Sequence, residues 1–290
     1  MITRLAPTFV LTGVTGKLGS RILKNLLETV KPSDIAISAR DPSRLASLSD
    51  NGHRVLQGSF DDPDSLAASF KGAKKLLLVS SSDTSGKGQE HHRNAIKAAQ
   101  VAGIQMIYYT SHQGASHTSL FWPCRDHAAT EDMLEQSGIP YVSLRNGFYM
   151  DVLGQFTQSV QYTNAFSAPL DGPVSWTHHD DLAKGAASLM IRSEPVPKIV
   201  TLINPKAMDL DEVAKVYTKI KGSEVRRLVV GEEEYVEQLK GHGVPEQMAQ
   251  GLLGIFAAAK EGTLQSNDGA LGDILSGKFT DVEQYLKHSQ

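Results

Sequence analysis

The stretch VLTGVTGKLGSRILKNLL, residues 10–27, narrows the folds open to this chain more than any other. An apolar run ends at Thr12, glycines follow at Gly13, Gly16 and Gly19, and a helix-forming segment begins. Gly13 permits a tight turn, Gly16 lets backbone approach a pyrophosphate, and Gly19 allows a helix to pack closely on a strand. The first N–H groups of that helix and its positive dipole end favour a phosphate anion. Thr15, Lys17 and Leu18 complete the candidate cradle. The spacing is G-x-x-G-x-x-G rather than G-x-G-x-x-G, and three glycines alone describe many turns. Their place between a first strand and a first helix points to a dinucleotide.

The rest of the first half supports that placement. The runs TFVLTG, IAISAR, RVLQGSF, KKLLLVSSS, QMIYYTS and YVSLRNG read as strands, separated by helix-forming stretches such as EHHRNAIKAAQVAG. Six such runs with helical connectors predict an α/β fold, a Rossmann-like doubly wound parallel sheet covered on both faces. After Tyr149 the rhythm changes, and the expected division is a nucleotide-binding domain over 1–150 and a smaller α/β cap over 151–290. Within the cap, PKIVTLIN near 198–204 reads as a strand that could return to the first sheet. Asp180 and Asp181 are candidate caps for the helix LAKGAASLMI, and Gly241, Gly243, Gly251 and Gly254 interrupt a helical C-terminal region.

The end of the second strand selects between dinucleotides. An acidic residue there would bond a ribose 2′-hydroxyl, but IAISAR ends in Arg40 with no carboxylate before it. A guanidinium bonds a 2′-phosphate through two N–H groups, so NADP, and NADPH over NADH, is the expected cofactor. Arg44 or Lys17 could assist, and the bland alternative pairs Arg40 with Asp41. Ligands of such sheets sit outside the carboxyl ends of the strands. That places Ser80, Ser81 and Ser82 after the fourth strand, and Asn146, Gly147, Phe148 and Tyr149 after the sixth, beside the cofactor.

TGVTGKLGSRIL, AISARDPSRL, LLLVSSSD, HRNAIKAAQVAGI, YYTS and LRNGFY together resemble the NmrA-like atypical short-chain reductases, most of all their bacterial NAD(P)H:quinone oxidoreductase branch. The resemblance is dense from Thr8 to Tyr149 and thinner beyond. It implies NADP contacts at Gly13 to Gly19, Arg40, Ser80 to Ser82 and Asn146 to Tyr149. The family also holds phenylpropanoid reductases, secondary-metabolite enzymes and redox sensors without turnover, so fold and cofactor transfer better than reaction.

Short-chain reductases usually carry Tyr-x-x-x-Lys on the helix that here reads PCRDHAATEDML, where Pro123 and His127 fall at those positions. Reducing an unactivated carbonyl makes an alkoxide, which that tyrosine protonates. Adding hydride to a quinone makes a phenolate, whose conjugate acid titrates near pH ~10, so a modest donor suffices. The expected function is therefore NADPH-dependent reduction of quinones or quinone-like aromatic compounds, with His127 as candidate donor. Ser111 is a candidate contact for a substrate oxygen, and Phe121, Trp122, Tyr149 and Trp176 are candidate walls for a flat ligand. Two alternatives stay open: an isomerase or tailoring enzyme of secondary metabolism that uses bound NADP without net redox, and a non-catalytic NADP sensor.

Other classes are disfavoured. A formal net charge of -3 without a long basic run does not suit nucleic acid. The lone Cys124 excludes an internal disulfide framework and fits a reducing compartment. No H-x-x-x-H pair accompanies His91-His92 or His178-His179, so no metal is expected. No apolar run approaches the roughly 20 residues that cross a bilayer, and no ordered signal-peptide pattern opens the chain. A cytoplasmic monomer or homodimer acting on a small molecule is the expectation.

Overall fold

Each apolar run of the first half becomes a strand in the computed structural model, which describes residues 8–83, 85–266 and 270–288. The first half runs β1 (Phe9–Leu11), α1 (Lys17–Leu26), β2 (Ile35–Ala39), α2 (Ala46–Asp50), β3 (Arg54–Gln57), α3 (Pro63–Phe70), β4 (Lys75–Leu78), α4 (Gly88–Ala102), β5 (Met106–His112), α5 (Trp122–Ser137), β6 (Tyr141–Asn146) and β7 (Phe148–Tyr149). It continues with α6 (Asp151–Phe156), α7 (Val160–Thr163), β8 (Ala165–Ala168), β9 (Trp176–Thr177), α8 (His179–Ile191), β10 (Ile199–Leu202), α9 (Leu210–Lys221) and β11 (Arg226–Val229). Helices α10 (Glu232–Gly241), α11 (Glu246–Lys260), α12 (Ala270–Ile274) and α13 (Val282–His288) follow.

Seven strands form one sheet in the order β10-β6-β5-β4-β1-β2-β3. The parallel pairs include β1 with β2 and β1 with β4. The chain winds one way from β1 to β3 and the other way from β4 onward, so the switch point lies between β1 and β4. Strand β10, the run PKIVTLIN, takes the edge beside β6.

The chain forms two compact units that interleave in sequence. One contains the described residues up to Ser111, with Asp126–Arg145 and Ala183–Val200; the other contains His112–Arg125, Asn146–Leu182 and the described residues from Thr201 onward. The expected division placed a boundary near residue 150 with a possible return of the strand near 198–204; the two units interleave further, because α5, β6, α8 and β10 each begin in one unit and end in the other.

In the first unit, Val10, Leu76, Leu78, Ile107 and Tyr109 pack against Leu66 and Phe70 of α3, Ala95, Ile96 and Ala99 of α4, and Leu134 of α5. On the other face Lys75 Nζ and Tyr108 Oη donate to the Met190 and Leu189 carbonyls of α8, at 2.8 and 3.4 Å. In the second unit, β8 pairs with β11 and β7 with β9, both in parallel. Its core includes Phe148, Phe166, Trp176, Leu210, Val213 and Phe256. Arg227 of β11 forms a buried ion pair with Asp171 at 2.8 Å and donates to the Pro169 carbonyl at 2.6 Å. The cap of α8 differs from expectation: His178 precedes the helix, its carbonyl receiving the Asp181 and Leu182 N–H groups and its Nδ1 that of Asp180. Asp181 instead accepts from the Thr280 N–H at 2.8 Å.

Where β4 ends, no further strand can satisfy its backbone without filling the crevice. Side chains do so instead. The Val79 N–H donates to Thr12 Oγ1 at 3.0 Å, the Ser80 N–H to Thr110 Oγ1 at 2.8 Å, and the Ser81 N–H to His92 Nε2 at 2.9 Å. Because His92 Nε2 accepts, its proton sits on Nδ1 and is donated to Thr130 Oγ1 at 2.8 Å. Burial, with the nearby His127 and His91 charges, pushes His92 down to about 3, so the ring is neutral when it holds the loop.

Two predictions follow from this packing. An added Cβ at Gly19 would penetrate the Gly13 carbonyl group, whereas one at Gly231 meets nothing within 4 Å. Gly19→Ala should lose about 1–3 kcal/mol and Gly231→Ala should be near neutral, read as calorimetric midpoints. His92 is held below its unfolded value near 6.5, so its contribution is complete above that pH and declines as pH falls toward about 3. Urea unfolding at stepped pH should show a steeper acid loss for wild type than for His92→Gln, and equal slopes would remove His92 from the loop's support.

Candidate functional site

The glycine loop lies in the first unit at the switch point. Gly13 has φ +67°, and a Cβ there would lie 2.7 Å from Val79 Cβ, so turn geometry and contact with the β4 exit both demand glycine. The Gly16 N–H closes the turn onto the Gly13 carbonyl at 3.0 Å. Helix α1 starts from Gly16 in extended conformation, with no side-chain cap and no acidic residue in its first turn. Thr15, Gly16 and Lys17 are exposed, while Leu18 and Gly19 are buried beneath them. A backbone cradle with a positive helix end and no competing carboxylate suits the pyrophosphate of a dinucleotide.

Arg40 stands exposed at the end of β2, which neighbours β1. Asp41, its alternative partner, is otherwise engaged: Oδ1 accepts from the Ser43 N–H at 3.1 Å and the Ser43 hydroxyl at 2.5 Å, starting a short 3-10 turn at Pro42–Leu45. No hydrogen bond or ion pair joins Arg40 to another described residue. Arg44 is exposed on the same turn.

The serine run has three different environments. Ser80 is half-buried beside Thr110, Ser82 is exposed, and Ser81 Oγ lies 2.8 Å from His91 Nδ1. His91 Nε2 in turn lies 3.2 Å from Asp61 Oδ1. The two adjacent histidines, dismissed as metal ligands from sequence, thus both support Ser81.

Ser111 has a buried partner. Its hydroxyl donates to Glu131 Oε1 at 2.7 Å, which also receives the Ser143 hydroxyl at 2.5 Å and Arg145 Nε at 3.0 Å. Burial would raise the Glu131 carboxyl, but the bonds from Arg145, Ser143 and Ser111 outweigh it and hold the group below its ordinary value. A hydroxyl has one proton to donate. Given to Glu131, it leaves Ser111 able to accept a hydrogen bond but not to donate one to a substrate oxygen. His127, half-buried on α5, meets the hydroxyl of buried Tyr109 through Nδ1 at 2.7 Å. Sequence reasoning missed both Glu131 and Tyr109; the available signal was that Tyr109 and Ser111, two apart on β5, share a face.

The remaining candidates lie in the second unit. Asn146 is buried, its carbonyl accepting from the Gln113 N–H at 2.8 Å. Gly147 is closed in by Thr177 and the Ser175 carbonyl. Tyr149 is half-buried, its ring 4.3 Å from that of His179. Burial pushes its hydroxyl up to about 12; the Asn146 amide offsets part of that rise, yet its nitrogen completes no hydrogen bond. Phe148 packs edge-on against His112 at 5.4 Å and Trp176 at 5.5 Å, with Phe121 5.7 Å away. Trp176 is fully buried and donates through Nε1 to the Met208 carbonyl at 2.9 Å, so it belongs to the core rather than to a ligand surface. Trp122 is 39% exposed and lies over Gly251 of α11. Cys124 is buried 3.2 Å from His112 Nδ1, and burial pushes its thiol up to about 12. That thiol stays protonated and unreactive. Among the described residues no three metal-ligating side chains converge, and no helix is long and apolar enough to cross a membrane.

Known proteins share this fold. The chain is 31% identical to quinone oxidoreductase 2 of Escherichia coli over 96% of its own length and 97% of that protein's. The NADPH complex of that enzyme superposes with a TM-score of 0.90, covering 97% of this chain and 99% of that one. The Citrobacter triphenylmethane reductase complexed with NADP(H) gives a TM-score of 0.88 at 27% identity, over 98% and 100% of the two chains. An NAD(P)H azoreductase of Xenophilus azovorans is 25% identical over 86% of each protein. The model of the NmrA-like family matches residues 7–286, and the chain belongs to that family.

Proposed function

We propose that this protein is an NADPH-dependent reductase of quinones or quinone-like conjugated aromatic compounds. The observation that carries the nucleotide half is Arg40: an exposed guanidinium without a partner among the described residues, at the end of β2, in the unit that holds the glycine cradle. Gly13 to Gly19 receive the pyrophosphate on backbone N–H groups, and Arg40 receives the 2′-phosphate through paired N–H donors. Ser80 to Ser82 offer the cofactor a backbone floor whose Ser80 and Ser81 N–H groups are fixed from below. The bound nucleotide supplies hydride; the protein supplies binding and orientation.

The acceptor class is supported by what the chain lacks. Pro123 stands where a tyrosine acid is usual, and the Ser111 proton is committed to Glu131. A site so equipped gives little help to an alkoxide. The relatives are named for quinones, azo compounds and triphenylmethane dyes, acceptors whose conjugation disperses the added electron pair. Reducing such a system demands only mild proton donation, near that of a phenol at pH ~10. Within the second unit Tyr149 and Trp122 keep exposed surface suited to a flat aromatic ligand, while Phe121, Phe148 and Trp176 pack in that unit's core.

Wild-type protein should oxidise NADPH with a panel of benzo- and naphthoquinones and leave simple ketones untouched; activity confined to ketones would reverse the assignment. Arg40→Ala should raise KM for NADPH about 10- to 100-fold, as expected for losing a charged hydrogen bond of about 1.5–3 kcal/mol. KM for NADH should barely move, and an equal change for both nucleotides would show that Arg40 does not read the phosphate.

A further inference from the structure

Strand β11 is the open edge of a two-stranded sheet in the second unit. It pairs with β8 in parallel, Arg226 opposite Ala165 and Val229 opposite Ala168, and no other described strand neighbours it. The Arg226 N–H donates to the Asn164 carbonyl and the Val230 N–H to that of Ala168, at 3.0 and 3.2 Å. In such a ladder alternate residues bond the partner strand, so the N–H and C=O groups of Arg227 and Val229 face away from β8. Leu228 and Val229 are 44% and 57% exposed, although neighbours in a strand point to opposite faces, so neither face is covered there. The backbone stays extended through Gly231, where an added Cβ would meet nothing within 4 Å. Arg226 ends this open edge on one side and Glu232, the first residue of α10, on the other; both are exposed, and neither has an ion-pair partner among the described residues.

We propose that two copies of this chain associate through β11, by antiparallel pairing of this edge with itself about a two-fold axis at Val229. The inference is independent of the reductase reading. The segment RRLVVGE, residues 226–232, is complementary to its own reverse. With Val229 on the axis, Val229 opposes its counterpart, Leu228 opposes Val230, Arg227 opposes Gly231 and Arg226 opposes Glu232. This register uses the groups that β8 leaves over. The two Val229 residues exchange both backbone bonds, and each Arg227 does so with a Gly231. The Gly231 carbonyl already accepts the Tyr235 N–H at 3.0 Å and keeps a second lone pair for this. Side chains agree with the register, because directly opposite residues share a face. Leu228 covers Val230 on one face, and the two Val229 side chains meet on the other. The Arg227 side chain is held within its own unit by Asp171 and the Pro169 carbonyl, and the residue opposite it has no side chain. Charge sets the direction. A parallel copy would bring arginine to arginine and glutamate to glutamate, whereas the antiparallel copy pairs Arg226 with Glu232 twice. A patch that meets itself across a two-fold is the commonest contact in soluble oligomers, and here it turns two strands into a four-stranded sheet with no exposed β11 edge.

Sedimentation velocity over a concentration series should show the wild-type chain passing from monomer to dimer. Arg226→Glu and Glu232→Arg should each weaken that dimer about tenfold or more, because each exchanges two attractive pairs for two repulsive ones. An equimolar mixture of the two variants should recover wild-type affinity, since both pairs of the mixed dimer again have opposite signs. A folding defect in either variant could not produce that recovery. Val229→Cys should form a disulfide-linked dimer on mild oxidation, because residues opposed in a hydrogen-bonded antiparallel pair have Cα atoms about 5.5 Å apart, within disulfide reach. Leu228→Cys, which does not face its own counterpart, should stay unlinked, and the native Cys124 is buried. A wild type that remains monomeric at every concentration would overturn the proposal. So would a dimer that both charge reversals leave intact, which would place the contact on another surface, or a mixture of the two variants that stays monomeric.

Discussion

Three consecutive backbone N–H groups at the exit of β4 must be satisfied without closing the crevice above them, and much of the first unit follows from how that is done. Thr12 reaches from β1, Thr110 from β5 and His92 from α4, each presenting an acceptor to Val79, Ser80 or Ser81. An unmade bond costs about 1–3 kcal/mol at a fully buried position and less at these half-buried ones. The same contacts place Val79 against Gly13, so the phosphate loop and the serine loop are registered by one set of short side chains. His92 works because it is neutral and of one tautomer, which burial secures.

Much of this was legible in the sequence because its causes are local. A glycine that must take positive φ, a helix that must start without an acidic residue, and apolar runs of strand length all leave marks within a few neighbours. Gly13, Gly16, Gly19, the six strands and Arg40 are of that kind. The features that escaped depend on residues far apart in the chain. Glu131 gathers Ser111, Ser143 and Arg145 only once α5 lies across β5 and β6. His127 sits beside Asp126 in sequence yet bonds Tyr109, and Cys124 meets His112 rather than His127. By sequence Trp176 is a candidate ligand wall with core packing the favoured reading, and its burial and its bond to Met208 place it in the core. The glycines of α11 looked like helix interruptions. Gly251 and Gly254 instead sit inside a continuous helix, where a Cβ would meet Trp122 or the Leu120 carbonyl.

The chemistry follows a similar division. In the proposed function the nucleotide is recognised by backbone shape and one guanidinium, while the treatment of the acceptor depends on which protons remain available. Ser111 has given its proton away, Pro123 has none, and the Cys124 thiol is held neutral. The proposed acceptors, which delocalise an incoming electron pair, are matched to a surface so equipped.

The Glu131 hub also limits what this scaffold can become. One buried carboxylate ties two strands to a helix, and it does so by consuming the hydroxyl that carbonyl chemistry would need. Installing a tyrosine at Pro123 and a lysine at His127 would therefore leave a ketone reductase still incomplete. Freeing Ser111 means neutralising Glu131, and Arg145 would then keep a half-buried positive charge with no counterion. Adjacent catalytic repertoires are separated here by a stability barrier as well as by the missing pair, and an evolutionary path between them has to rebuild the β5–β6 seam before it can gain the new reaction.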